Sequence, residues 1–486
     1  MILRYLSYIY MLSHVVVLAN PQKPNIVFIL SDDHALEAIS AYGSWLKDHA
    51  KTPNIDRISK SGMTFHNMCV NNSICSPSRA SILTGQYNHT NGVMKLHGKI
   101  KAGSPWLPKE LQAFGYQNYL VGKWHLDSLP EGFEKFKIVD DQGEYFNPSF
   151  LDEQNQTVKT AGYSTDVYTD QALEWLSKHK SADPFMLMLN FKAPHYPYDY
   201  PERYESLLEN SQIPEPLNLY EDLTKSSPML KNRCFGQMAK ARSYFRRQYK
   251  STTPEMSKDG VDTWTGQVSA AYQHMSKKYI RCITAVDENV GRVLDYLEHN
   301  NLNDNTIVIY GSDQGYWLGQ HGLYDKRLIL DQSIKMPFII SYPKLIKNNK
   351  NFELCSNIDI APTLLDLVGA TPPSEMEGVS MLPLLKGEEV NDWRQAIWYN
   401  YTSNPNHYGI KTKEYTYVKF HESMDFEFYD NLKDPWQNKS EHKNPDYAAK
   451  IASAEVVLQR KLKELQLTES GVKKMGIKKN RKRNKQ

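Results

Sequence analysis

Cysteine is scarce in this chain, with five in 486 residues. They stand at positions 69, 75, 234, 282 and 355, without a C-x-x-C pair or a Cys/His zinc spacing, so a zinc scaffold and a disulfide-dense miniature are both excluded. Long apolar runs are scarce as well. The one at the N-terminus, Tyr5 to Ala19 behind Arg4, is shorter than the ~20 residues a bilayer needs and holds Ser7, Ser13 and His14. Val17-Leu18-Ala19 has the small-residue form of a signal-peptidase site, so residues 1–19 read as a cleaved signal and the mature protein is expected to be secreted or periplasmic, without stable membrane insertion. A strong charge of either sign is missing: the net charge is +3, and the segment Lys473 to Gln486 holds eight basic residues and no acidic one. Without that segment 50 basic residues face 55 acidic ones, so the body is mildly acidic and offers no nucleic-acid groove. Residues 471–486 are expected to be a basic, disordered tail.

What is present is a globular composition, 40% hydrophobic and 23% charged, arranged as alternating strand and helix patterns. Pro24 to Leu30 is a short apolar run that ends in Ser31-Asp32-Asp33-His34, and Thr306 to Tyr310 runs in the same way into Gly311-Ser312-Asp313-Gln314-Gly315. Both read as buried strands delivering carboxylates at one sheet edge. Further strands are expected at Gln117 to Val121, Phe185 to Phe191 and Pro337 to Tyr342, and helices at Thr165 to His179 and about Val268 to His299, where apolar residues recur every three to four positions. The alternation predicts an α/β fold with a mostly parallel sheet, helices on both faces and the ligand site beyond the carboxyl ends of the strands. Asn210 to Gly266, polar and poor in aliphatics, reads as a surface insertion. A catalytic domain over 20–370 is then followed, over 371–470, by a small antiparallel subdomain with strands at Tyr415 to Phe420 and Asp425 to Tyr429 and a helix near Ala448 to Leu465.

Asp32, Asp33, Asp313 and the amide oxygen of Gln314 are all hard oxygen donors, which favours a hard divalent cation. A helix-capping pair would account for Asp32 and Asp33 but leave Asp313 unexplained. Lys123 and His125, two apart at a strand end, are expected on one face toward a common anion. Cys75, followed by Pro77, Ser78 and Arg79 and then a helical pattern, puts a sulfur at a helix N-terminus beside a guanidinium, an arrangement that an ordinary reactive thiol would also satisfy.

The run Cys75-Ser76-Pro77-Ser78-Arg79-Ala80-Ser81-Ile82-Leu83-Thr84-Gly85 resembles the signature of the type I sulfatases, members of the alkaline phosphatase-like superfamily in which this cysteine is oxidised to formylglycine. Asp32-Asp33, Gly122-Lys123-Trp124-His125, Ala193-Pro194-His195, Ser312-Asp313-Gln314-Gly315, Tyr324-Asp325-Lys326-Arg327 and Tyr429-Asp430-Asn431-Leu432-Lys433-Asp434-Pro435 resemble further landmarks, in the family's order. The resemblance implies an alkaline phosphatase-like fold. It also implies one calcium ion on Asp32, Asp33, Asp313, Gln314 and the modified residue 75, and a formylglycine-generating enzyme as maturation partner. Many members have Asn where Gln314 stands. The implied nucleophile is a hydroxyl of the hydrated aldehyde at residue 75, held by Arg79. Lys123 and Lys326 would stabilise the sulfuryl oxygens, His195 with Lys326 would protonate the leaving oxygen, and His125 would take the proton that returns the aldehyde.

Within the family, Gly132-Phe133, the stretch Gly143 to Pro148 and the Tyr-Asp-Lys-Arg motif look most like the branch acting on sulfated polysaccharides, including glucosamine 6-sulfatases. Algal polysaccharide such as ulvan and glycosaminoglycan both remain open as substrates. Two alternatives stand beside this reading: a phosphonate monoester or phosphodiester hydrolase on the same fold, and an inactive polysaccharide-binding protein. His97, His321, Tyr316, Trp317 and Trp124 could reach a sugar or simply pack.

Overall fold

The computed structural model describes residues 22–179, 183–221, 236–237, 263–421 and 425–476. The expected signal segment and most of the expected insertion lie outside them.

A sheet of ten strands forms the centre, in the order Asn349–Asn351, Met63–Phe65, Phe338–Ser341, Thr306–Ser312, Asn25–Ser31, Phe185–Asn190, Gln117–Lys123, Lys135–Val139, Ser149–Asp152, Thr157–Lys159. We label Asn25–Ser31 β1, Gln117–Lys123 β2, Phe185–Asn190 β3 and Thr306–Ser312 β4. These four are neighbours in the order β4-β1-β3-β2 and all run parallel. The expected strand near Pro337 to Tyr342 is present as Phe338–Ser341 and pairs antiparallel to β4. Continuous apolar runs are required here because both faces are covered: Ile26, Phe28 and Leu30 enter one core, Val27 and Ile29 the other. Helix Trp264–His299 covers the second face, with Tyr272, Tyr279, Ile283, Val286, Val290, Val293 and Leu297 all buried. It starts at Trp264, four residues before the expected Val268, and is capped by Thr263, whose side chain accepts from the Gly266 amide.

A separate antiparallel sheet, Ile397–Tyr401, His407–Lys411, Tyr415–Phe420 and Phe426–Asp430, makes the C-terminal unit, with helix Ala448–Glu464 packed on it. Two expectations need correction. The stretch 210–266 is not wholly on the surface: Ile213 and Leu219 are buried in the core under helix Trp264–His299, and Gly236–Gln237 pairs with Leu323–Asp325. A few well-spaced aliphatics suffice to anchor a polar segment. The expected disordered tail does not hold for all of 471–486: Glu469–Gly476 is a helix with Val472 buried, and residues 477–486 lie outside the described residues.

Candidate active site

The four parallel strands all end at one edge, and the site is assembled there. β1 delivers Asp32 and Asp33, β4 delivers Asp313 and Gln314, β2 ends on Lys123, and the chain leaving β3 carries Lys192 and His195. Backbone proximity at this edge demands glycine. A Cβ on Gly122, at φ +104°, would meet the Asn190 carbonyl oxygen at 2.0 Å, and one on Gly315 would meet the Gln332 oxygen at 2.4 Å. Asp33 itself adopts φ +65°. The Tyr279 hydroxyl, reaching from the long helix, donates to its carbonyl at 2.5 Å and accepts the Ala35 amide at 2.7 Å.

Asp32, Asp33 and Asp313 are fully buried, and one carboxylate oxygen from each lies within 4.8 Å of the others. Burial raises all three carboxyls, but Lys123, with His195, Arg79 and Lys326, pulls Asp32 well below the usual range. Asp33 is left at about 6, raised by burial against Lys326, and Asp313 at about 7, raised by burial and by the Asp32 charge against Arg79. Gln314 donates from Nε2 to Asp33 Oδ1 at 2.6 Å, while its Oε1 is buried without a hydrogen-bond partner among the described residues. Three crowded carboxylates and an orphaned amide oxygen, with no imidazole or thiolate obligatory, fit a hard divalent cation, and calcium satisfies that donor set.

Cys75 opens helix Cys75–Thr84 and faces this group, its Sγ 3.4 Å from Asp32 Oδ1 and 3.7 Å from Gln314 Nε2. The helix is pinned from behind: the Ser78 hydroxyl donates to the Asp313 carbonyl and accepts from Asn357 at 3.0 Å. The reading of an ordinary reactive thiol fails here. Burial, with the Asp32 charge, pushes the Cys75 thiol up to about 12, so unmodified sulfur stays protonated and a poor nucleophile at neutral pH. The guanidinium that was expected to assist it, Arg79, gives Nε to Asp313 Oδ2 at 3.0 Å and Nη1 to the Lys123 carbonyl at 2.8 Å, leaving Nη2 buried without a partner among the described residues.

Lys123 Nζ pairs with Asp32, and Lys326 Nζ pairs with Asp33 Oδ2 at 2.5 Å. His195 donates from Nδ1 to the Tyr196 carbonyl at 2.7 Å, which turns Nε2 toward Asp33 Oδ2 at 3.6 Å. Burial, then Lys326 and Lys123, holds this imidazole neutral. The expected common face of Lys123 and His125 does not come from strand periodicity, since the strand ends at Lys123 and His125 has φ +60°. Instead the two meet through Gln142, whose Oε1 accepts from Lys123 and whose Nε2 lies 3.2 Å from His125 Nε2. Gln142 and the buried Lys192, which donates to the Gln142 carbonyl at 3.1 Å, had no spacing signal; both simply stand next to segments that did, Gly143 to Pro148 and Ala193-Pro194-His195.

Among the other aromatic and histidine candidates, Tyr316, Trp317 and Trp124 are core residues, and His321 is buried between Glu221 at 2.6 Å and the Trp436 carbonyl at 2.9 Å. His97 is exposed at the rim of a cavity of about 680 Å³, which His125, Asp141, Trp124 and Leu129 also line.

A family model described as Sulfatase matches residues 24–370, and one described as N-sulphoglucosamine sulphohydrolase, C-terminal, matches residues 319–468. The chain belongs to the sulfatase family. It is similar to the N-acetylglucosamine-6-O-sulfatase of Bacteroides thetaiotaomicron, at 36% identity over 89% of this chain and 86% of that protein. An ulvan-active sulfatase of Formosa agariphila is 28% identical over 92% of this chain and 82% of its own length. A solved structure in complex with its substrate D-glucosamine-2-N,6-O-disulfate superposes with a TM-score of 0.83 at 32% identity, covering 91% of this chain and 98% of that one. This sulfatase is therefore a sulfuric ester hydrolase of type I with the alkaline phosphatase-like fold, and it resembles the glucosamine 6-sulfatases. No helix among its described residues is long and apolar enough to cross a membrane.

Proposed function

We propose that this sulfatase hydrolyses sulfate esters on a carbohydrate, with 6-O-sulfated glucosamine as its first candidate substrate, and that it does so outside the cytoplasm with residue 75 converted to formylglycine by a dedicated maturation enzyme. The observation that carries the reading is Cys75 itself: buried, inert as a thiol, and facing three carboxylates and an orphaned amide oxygen. Formylglycine at this position supplies a hydrated aldehyde as nucleophile, which a protonated thiol cannot replace. Calcium on Asp32, Asp33, Asp313 and Gln314 supplies a fixed positive charge beside the sulfuryl oxygens.

The remaining roles fall to the chain's own side chains. Lys123, Lys326 and the free Nη2 of Arg79 are preorganised donors for a sulfuryl group next to residue 75. His195 is neutral with Nδ1–H held on a carbonyl, so its Nε2 is bare and can pass on a proton only after gaining one when the anionic substrate binds; Lys326, beside the same Asp33, already carries a proton for the departing sugar oxygen. His125, neutral because burial and Lys123 pull it to about 2, is the base for the second half of the cycle. Asp325 and Arg327 flank Lys326 with φ of +99° and +102° and pair at 3.1 Å, and Arg327 also reaches Tyr401 of the C-terminal sheet at 3.1 Å. That pair offers an acceptor and donors to sugar hydroxyls. The relatives named for N-acetylglucosamine 6-sulfate and ulvan support a carbohydrate substrate over a simple aryl sulfate.

The test is turnover of matched glucosamine 6-sulfate and 6-phosphate by protein whose peptide containing residue 75 has been weighed. Sulfate release by aldehyde-bearing protein is the expected result. Faster phosphate release would make the enzyme a phosphoester hydrolase on this fold, and a wholly unmodified cysteine in active protein would overturn the formylglycine reading.

A further inference from the structure

Gln142 stands between a lysine and a histidine, and their chemistry leaves it one orientation. A lysine ammonium has donors only, so the amide must turn Oε1 toward Lys123. Its NH₂ then faces His125, 3.2 Å from Nε2. An N–H pointing at a ring nitrogen requires a lone pair there, and a neutral imidazole with its lone pair on Nε2 carries its proton on Nδ1. That atom is buried without a hydrogen-bond partner among the described residues, so the Gln142 contact has to outweigh an unpaired N–H on the far side of the ring. The amide cannot relax by flipping, because the flip would set NH₂ against the ammonium. The main chain is fixed as well, with Lys192 Nζ donating to the Gln142 carbonyl at 3.1 Å. The His125 side chain is only 1% exposed, so water does not offer Nε2 an easy alternative partner.

A second neighbour makes the opposite demand. Asp141 Oδ1 lies 3.1 Å from the same Nε2, and a carboxylate can only accept. Asp141 is 53% exposed and keeps its hydration while the ring is neutral. The remaining charged or titratable groups around the ring are Lys123, Asp32, Arg79 and His97, the last edge-on at 5.8 Å between ring centres.

We propose that Gln142 is a positioning residue that locks neutral His125 in the Nδ1–H tautomer, keeping Nε2 as its basic atom, and that Asp141 is the partner the ring takes once Nε2 is protonated. A proton arriving at Nε2 turns that atom from acceptor to donor, the bond from Gln142 is given up and the bond to Asp141 is made. This rests on the base role of His125 in the proposed function, and supplies what that role lacks: a reason why the proton is absent from the required nitrogen beforehand.

Two substitutions separate this from a merely structural contact. Gln142→Glu keeps the shape and strengthens the contact to Lys123 but faces His125 with an acceptor, which draws the proton onto Nε2. Gln142→Met removes both hydrogen bonds and imposes no tautomer. ¹⁵N-histidine correlation spectra, with the His125 signals assigned by their loss in His125→Asn, should show Nδ1–H in the wild type and in Asp141→Asn, and Nε2–H in Gln142→Glu. On glucosamine 6-sulfate, kcat of Gln142→Glu should fall roughly tenfold or more below that of Gln142→Met, part of the ~10²–10⁴ that a general base supplies, with KM moving less. A wild-type ring protonated on Nε2, or a Gln142→Glu enzyme as fast as Gln142→Met, would overturn the proposal. The spectra do not depend on turnover, so an enzyme inactive on every sulfate ester would remove the function and leave the tautomer result readable.

Discussion

Two groups of buried charge can be compared in this sulfatase, one at the strand ends and one where the catalytic part meets the C-terminal sheet. At the junction, Asp331 sits between Lys335 at 2.9 Å and Lys411 at 2.5 Å, and Asp359 is gripped by both guanidinium nitrogens of Arg394. Burial would raise the Asp331 carboxyl, yet the two lysines hold it at about 2. The strand-end group also has cations, Lys123, Lys326 and Arg79, but its three carboxylates face one another, and Asp33 and Asp313 stay at about 6 and 7. At the junction each carboxylate is enclosed by cations and serves cohesion, whereas at the strand ends three cations match three carboxylates in number but stand outside the group the carboxylates form. The strand-end group is arranged around a centre that its own cations do not fill, and burial alone would not have told the two apart.

Substitutions should divide along the same line. The largest effect is expected from Cys75→Ala, which should abolish sulfate release while leaving the melting temperature close to wild type. Retained activity would end the formylglycine reading. Asp313→Asn should lower calcium affinity and kcat/KM together, each by about tenfold or more, since one of three anionic ligands is lost. Asp331→Asn should do the reverse, costing about 3 kcal/mol of stability by leaving buried Lys411 and half-buried Lys335 without their counter-charge, with little change in kcat/KM of the folded enzyme. Denaturant unfolding and calcium titration of both variants would test the division, and it fails if Asp331→Asn weakens calcium.

His195→Ala is a finer test within the strand-end group. If Nε2 takes up a proton on substrate binding and passes it to the leaving oxygen, the loss should be roughly 10²–10⁴ in rate on a sugar sulfate and far less on an activated aryl sulfate, whose phenolate leaves without a proton. Equal losses on both substrates would shift the acid role to Lys326. The smallest effect concerns pH. Asp33 and Asp313 have raised pKa values in the fold, so in the metal-free protein their contribution favours folding at low pH and is lost as pH rises through about 6 to 7. A cation reverses this by favouring the ionised forms. The gain in melting temperature on adding calcium should therefore be greatest above pH 7 and shrink as pH falls through 7 and 6. A gain independent of pH would place the ion elsewhere.

The strand-end group was legible because its residues sit where hydrophobic pattern stops: Asp32 and Asp313 each follow an unbroken apolar run, and Cys75 lies in a motif with chemical meaning. Gln142 and Lys192 were not, because their roles depend on distances across β2, β3 and the loop that follows Lys135–Val139, and no periodicity encodes contact between separate segments. The long helix was legible as an amphipathic run, yet Tyr279 reads there as one more core residue. Only the fold reveals that its hydroxyl holds the Asp33 backbone. Tyr316 and Trp317 show the converse: they flank the strand-end group in sequence yet are buried, and Tyr316 meets it through its ring, 5.9 Å from the Lys326 ammonium.

Burial of Cys75 also sets a clock. Cys75 is 1% exposed and its sulfur meets Gln314, 239 residues away along the chain, so folding buries the thiol against a maturation enzyme that must enclose the peptide around it. At the usual 5–20 residues per second of synthesis, the ribosome needs about 10–50 s to travel from one to the other. On the formylglycine reading, that interval and any delay before folding are when the thiol can be oxidised, and a cell that folds this chain too quickly would fill with well-formed, inactive enzyme.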